Sequence, residues 1–251
     1  MKAAAWLSLA LLAGCDSDPD LQPESDLSLR WRIDWDTTGV TATADGWEVT
    51  NARGITFHVT RGYLVTYGLQ LRPCETTTSA ASRLLNWLRP VPLAWAGHGG
   101  LSDQSDQSFV YGEVEPLMPL TAGFERELLL PDDASYCSIH YLVARADTNL
   151  DASAATVPMD RVTLHLDGWW SAAGSETQTP LAIHTELNTG SYIDLVRPIS
   201  TAAGGNETVV VTRQLAAFFD DLDPAALSDA RLAQSLLLNI AAAATVTQTG
   251  R

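Results

Sequence analysis

Residues 55–74, ITFHVTRGYLVTYGLQLRPC, decide the fold. Ile55, Phe57, Val59, Tyr63, Val65, Tyr67, Leu69 and Leu71 occupy its odd positions, with Arg61 the only interruption. Most of the even positions carry threonine, glycine or polar groups. A period of two is the signature of a half-buried strand, and Arg61-Gly62 marks a bend or bulge within it. The segment ends in Cys74. A second alternating run, YCSIHYLVAR at 136–145, carries Cys137, so the two read as core strands that a bond can join.

Outward from this core, the N-terminus reads as an address. Lys2 precedes an apolar run, AAAWLSLALL at 3–12, and Leu12-Ala13-Gly14-Cys15 forms a lipobox. The run is shorter than the roughly 20 residues a membrane-spanning helix needs. The segment resembles that of bacterial lipoproteins, which implies a signal peptide at 1–14 and a lipidated Cys15 as the first mature residue. Acyl chains contribute about 0.8 kcal/mol per buried methylene, so the expected partner is a membrane, reached through this anchor. Residues 15–26, including the acidic and proline-bearing DSDPDLQPESD at 16–26, read as an extended tether that cannot bury enough surface to order itself.

The rest, 27–251, reads as one domain with no compositional break. Its fold class is mainly β: an antiparallel β-sandwich with a short inserted helix and a C-terminal helix. Strands are expected at 28–35, around 46–49, at 55–74, 109–115, 124–130, 136–144, 162–167, 181–187, 192–196 and 207–212, separated by Gly, Pro, Asp and Asn clusters. The inserted helix falls at 79–89, stopped by Pro90, and a glycine-rich loop follows over 90–108. At the other end, Asp223-Pro224 reads as the cap of a helix over 225–244, with Leu227, Ala230, Leu237, Ile240, Ala241 and Ala244 on one face. The net charge of −15, with Lys2 the only lysine, excludes the basic patches that nucleic-acid binding requires.

Beyond the membrane thiols oxidise, and lipid consumes Cys15, so Cys74 and Cys137 are an expected disulfide. Cys137 and His140, three apart on a strand, point to opposite faces and make a poor joint metal site. His58, His165 and His184 fall on the polar phase of their strands and read as surface histidines. A hairpin of 162–167 and 181–187 would bring His165 near His184. The metal pair expected here is instead His98 and His140. His98 stands between glycines that permit close approach of a ligand, and the disulfide ties the strand of His140 near the start of that loop. Such nitrogen ligands suit copper or zinc over calcium. Asp147 to Asp151 alternates oxygen ligands but lacks the glycine and glutamate of a calcium loop, and reads as a turn. There is no G-x-S-x-G, H-E-x-x-H, C-x-x-C-H or phosphate-binding glycine loop, so no catalytic residue is named and an enzyme is not the expected class.

From residue 162 onward, VTLHLDGWW, PLAIHT, VVVTRQLAAFFDDLD and LLLNIAAAA follow in an order that resembles the MbnP-like domain, a bacterial periplasmic family. TFHVTRGYLVTYGLQL joins the resemblance, which covers about half of the folded part. It implies a binding protein that handles copper through histidines. In some relatives a tryptophan oxidised by a di-haem peroxidase also serves, and that enzyme would then be a partner. Here the matching residues are Trp95 and His98, three apart where relatives have two. The alternative is a surface-interaction or scaffold lipoprotein without metal chemistry.

Overall fold

The computed structural model describes residues 24–74, 108–118, 123–131, 134–146 and 155–250. Cys15, the helix expected at 79–89, the loop with Trp95 and His98, and the turn at 147–151 lie outside them. The described chain forms two sheets facing each other, mainly antiparallel, as the alternation predicts. One contains β1 (Glu24–Asp36), β6 (Glu125–Pro131), β11 (Gly205–Gln214) and β12 (Ala244–Gly250), in the order β12-β11-β1-β6. The other has eight strands. It runs β10 (Thr189–Ser200), β7 (Ser135–Val143), β4 (Thr56–Pro73), β3 (Trp47–Thr50), β2 (Thr41–Ala42), and β4 also pairs β5 (Ser108–Pro116) and β8 (Leu164–Ser171). Among the described residues β9 (Thr179–Thr185) pairs only β8 and so forms an edge.

β4 is the organising strand, but its apolar phase is not one face. A register shift lies between Val59 and Arg61 against β8, at the expected bulge, and a second between Thr66 and Gly68 against β5 and β7. Each extra residue inverts the faces, because side chains alternate with period two. Phe57 and Val59 therefore point between the sheets, Leu64 takes over after the first bulge, and Leu69 and Leu71 resume after the second. Tyr63 and Val65 turn outward, into a small second core with Val114, Ala146, Met159 and Val162. This corrects the expectation of a single apolar face. β4 is buried on two sides at its middle because the chain after β7 folds back over it, with Thr156 hydrogen-bonded to the Tyr63 hydroxyl.

The main core lies between the sheets. Leu27, Leu29, Trp31 and Ile33 of β1 and Val209 and Val211 of β11 meet Phe57, Leu64, Ile139, Leu164 and Leu166 from the opposing sheet. β1 and β11 pair in parallel, from Leu27 opposite Gly205 to Asp36 opposite Gln214. β1 begins at Glu24, inside the expected tether, because strand pairing uses backbone groups and needs no apolar side chains; Glu24 pairs with Pro131.

Cys74 and Cys137 are joined, with Cα atoms 4.7 Å apart, which ties the end of β4 to β7. The helix α1 (Asp229–Ala242) starts later than expected, with Ser228 at its N-cap position, where the carbonyl accepts from the N–H of Leu232 and the side chain makes no capping bond. Asp223 instead makes a turn, its carboxylate and carbonyl accepting from the N–H groups of Ala225 and Ala226. Ala230 is consequently exposed, while Leu232, Ala233, Leu236, Leu237, Ile240 and Ala241 bury the inner face of α1 against the core. Nor does the helix close the chain. Ala244 opens β12, which pairs antiparallel with β11.

A histidine-bearing outer face as candidate functional site

Directly opposed residues on neighbouring strands point to the same side. That rule places every described histidine on the outer face of the eight-stranded sheet, away from the main core. His58 lies opposite Glu48 and Trp169, His165 opposite Tyr63 and His184, and His140 opposite Gln70 and Tyr192.

His58 departs from the surface reading: its residue is 3 % exposed. Trp169 covers its ring in a parallel stack, centroids 4.8 Å apart. Nδ1 lies 3.0 Å from Glu48 Oε1, and Nε2 lies 3.2 Å from Asp45 Oδ1, with geometry that falls short of a hydrogen bond. The polar phase at Thr56, His58 and Thr60 does face outward, as the alternation predicts. What it could not reveal is that a tryptophan from residue 169 would roof that phase.

His165 and His184 do meet across a hairpin. Strands β8 and β9 pair them directly, with ring centroids 6.0 Å apart and planes at 87°. Asp167, two residues along the same face, accepts from His165 Nε2 at 3.0 Å and from Arg61 Nε at 2.8 Å and Nη2 at 2.5 Å. Burial pushes the pKa of the Asp167 carboxyl up, but the hydrogen bonds and charges of Arg61 and His165 outweigh it and hold the group below the usual carboxylate range. The result is a fixed relay, Arg61 to Asp167 to His165. His184 is exposed, and its ring makes no hydrogen bond among the described residues.

His140 is held differently. Its ring stacks on the exposed Tyr192, centroids 4.4 Å apart and planes at 17°. Burial, reinforced by the Arg72 charge, pushes its pKa below the usual histidine value, so the ring is kept neutral. A neutral imidazole is the form a metal requires. Its expected companion, His98, lies outside the described residues, and Cys137 is committed to the disulfide. Among the described residues no three His, Cys, Asp or Glu side chains converge on one point.

The strongest polar feature missed by sequence reasoning sits between the sheets. Arg213, at 1 % exposure, gives two hydrogen bonds to Glu115, from Nη1 to Oε1 at 2.9 Å and from Nη2 to Oε2 at 2.5 Å. Nη1 also reaches Thr66 Oγ1 at 3.0 Å and the Tyr141 hydroxyl at 3.3 Å, and the guanidinium lies 3.6 Å from the Trp35 ring centroid. A signal existed: Arg213 continues the inward phase of Val209 and Val211. Burial disfavours its charge, but Glu115 more than compensates, so the guanidinium stays charged. The cluster joins the sheets, and Arg213, Glu115, Thr66 and Tyr141 are all buried, which makes it structural. Comparisons with protein-family models, with characterised proteins and with solved structures found no match to this chain.

Proposed function

We propose that this chain is a lipid-anchored binding protein of the bacterial cell envelope, and that the ligand class it handles is copper. The observation that carries the binding reading is the placement of His58, His140, His165 and His184 on one outward sheet face, where a scaffold protein would leave them scattered. The Cys74–Cys137 bond supports an oxidising compartment, and the lipobox at Cys15 supports the anchor. The scaffold alternative draws on a different fact, that no three ligating side chains converge among the described residues.

Two experiments test the reading. Cys15→Ser should leave the protein unlipidated and release it from, or leave it uncleaved in, the membrane fraction. Retention with normal processing would contradict the anchor. Copper(I) titrated into the full chain should bind at about micromolar affinity or tighter, about −8 kcal/mol or stronger, and weaken in His98→Ala and His140→Ala. Absence of such binding would favour the scaffold alternative.

A further inference from the structure

We infer that the His165–His184 pair is a binding site for a borderline divalent cation, zinc or nickel, with Nδ1 of His165 and one ring nitrogen of His184 as its protein ligands. The inference depends neither on the anchor nor on His98. It begins with spacing. Metal–nitrogen bonds are about 2.0–2.1 Å, and a ring nitrogen lies about 1.1 Å from its own centroid, so two imidazoles on one tetrahedral ion have centroids about 5.2 Å apart. The observed 6.0 Å lies within about 1 Å of that spacing, which a small turn of one ring closes. The ladder holds the two residues directly opposite, a placement in which Cβ atoms are about 4.5–5.5 Å apart.

The second argument concerns the proton. Nε2 of His165 is engaged by Asp167, an acceptor, so Nε2 carries the hydrogen and Nδ1 presents its lone pair. Metal-binding histidines characteristically donate their other N–H to a carboxylate in this way, which fixes the tautomer and the ring. Arg61 in turn fixes Asp167 through Nε and Nη2. The orienting groups are therefore already in place.

Access is the third argument. Among the described residues β9 is an edge strand and the exposed His184 ring makes no hydrogen bond, its one ring contact being the edge-on approach to His165, so it can turn without breaking a hydrogen bond. Two imidazoles and solvent suit zinc or nickel, whereas calcium and magnesium want more oxygen ligands than converge here. Two protein ligands rather than three place the affinity in the range of about 1–30 µM.

The test is calorimetric titration of ZnCl2 and NiCl2 into the full chain, with proton NMR of the imidazoles. In the His98→Ala/His140→Ala background, which removes the pair assigned to copper, one equivalent should still bind; adding His165→Ala or His184→Gln should weaken it at least tenfold, and adding Asp167→Asn about tenfold as an orienting group. Binding weaker than about 100 µM, or unchanged in His165→Ala and His184→Gln, overturns the inference. So do zinc-induced NMR shifts in the unsubstituted chain that spare these two rings, whatever the variants do.

Discussion

Removing Glu115 alone should be among the most damaging single changes available. Glu115 is 6 % exposed, and its carboxylate accepts the paired hydrogen bonds of Arg213, whose Nε already has no partner. Glu115→Ala leaves a guanidinium charged, unpaired and enclosed between two sheets. Loss of one member of a buried pair costs about 3–5 kcal/mol. The stack on Trp35 and the bonds to Thr66 and Tyr141 remain, so the lower half of that range applies. For a chain of this size each kcal/mol moves the melting temperature about 2–4 °C, giving a fall of about 6–16 °C. The double variant Arg213→Met/Glu115→Leu removes the orphaned charge and should recover most of the loss. Thermal unfolding by circular dichroism of the parent, Glu115→Ala, the two cycle singles Glu115→Leu and Arg213→Met, and the double decides it. A Glu115→Ala cost below about 1 kcal/mol, or a double variant whose loss equals the sum of the singles, would refute the reasoning.

Three further outcomes follow from named contacts. Reduction of Cys74–Cys137, whose partners are 63 residues apart, should lower stability by about 4 kcal/mol in the chain-entropy model; peptide mapping without reductant should recover the linked pair, and two free thiols would contradict it. His140 has a pKa lowered by burial and by Arg72, so the unfolded chain takes up its proton more readily than the folded one. Its contribution to stability is complete above about pH 6.5 and is lost as pH falls through the lowered folded value, so the pH dependence of melting of His140→Gln relative to the parent should be flatter below that point. At Gly168 a Cβ would stand 1.9 Å from the carbonyl oxygen of His58, so Gly168→Ala should loosen β8 from β4 and unstack Trp169 from His58, read as a change in tryptophan fluorescence.

The strands between β4 and β11 were legible because turn residues bracket short alternating runs, and local chemistry sets those boundaries. What was not legible depends on partners far along the chain. The parallel pairing of β1 with β11 joins Leu27 to Gly205, and nothing near either residue records the other. The double inversion of β4 turns on where neighbouring strands slip, so Tyr63 and Leu69 look alike in sequence yet enter different cores. His58 illustrates the same limit: its outward phase was readable, and its burial under Trp169 was not. His165 and His184 were the readable exception, since two neighbouring strands with a short connection form a hairpin whose register then had only to align them.

The central claim, that this is an anchored binding protein whose ligand is a transition metal, meets its most direct test in one measurement. The full chain, extracted with detergent from the envelope of its own cells without added metal or chelator, should carry copper at close to one ion per chain by elemental mass spectrometry. A protein recovered from the detergent fraction with copper far below one ion per chain, after the same handling that preserves metal on a control metalloprotein, would contradict the account.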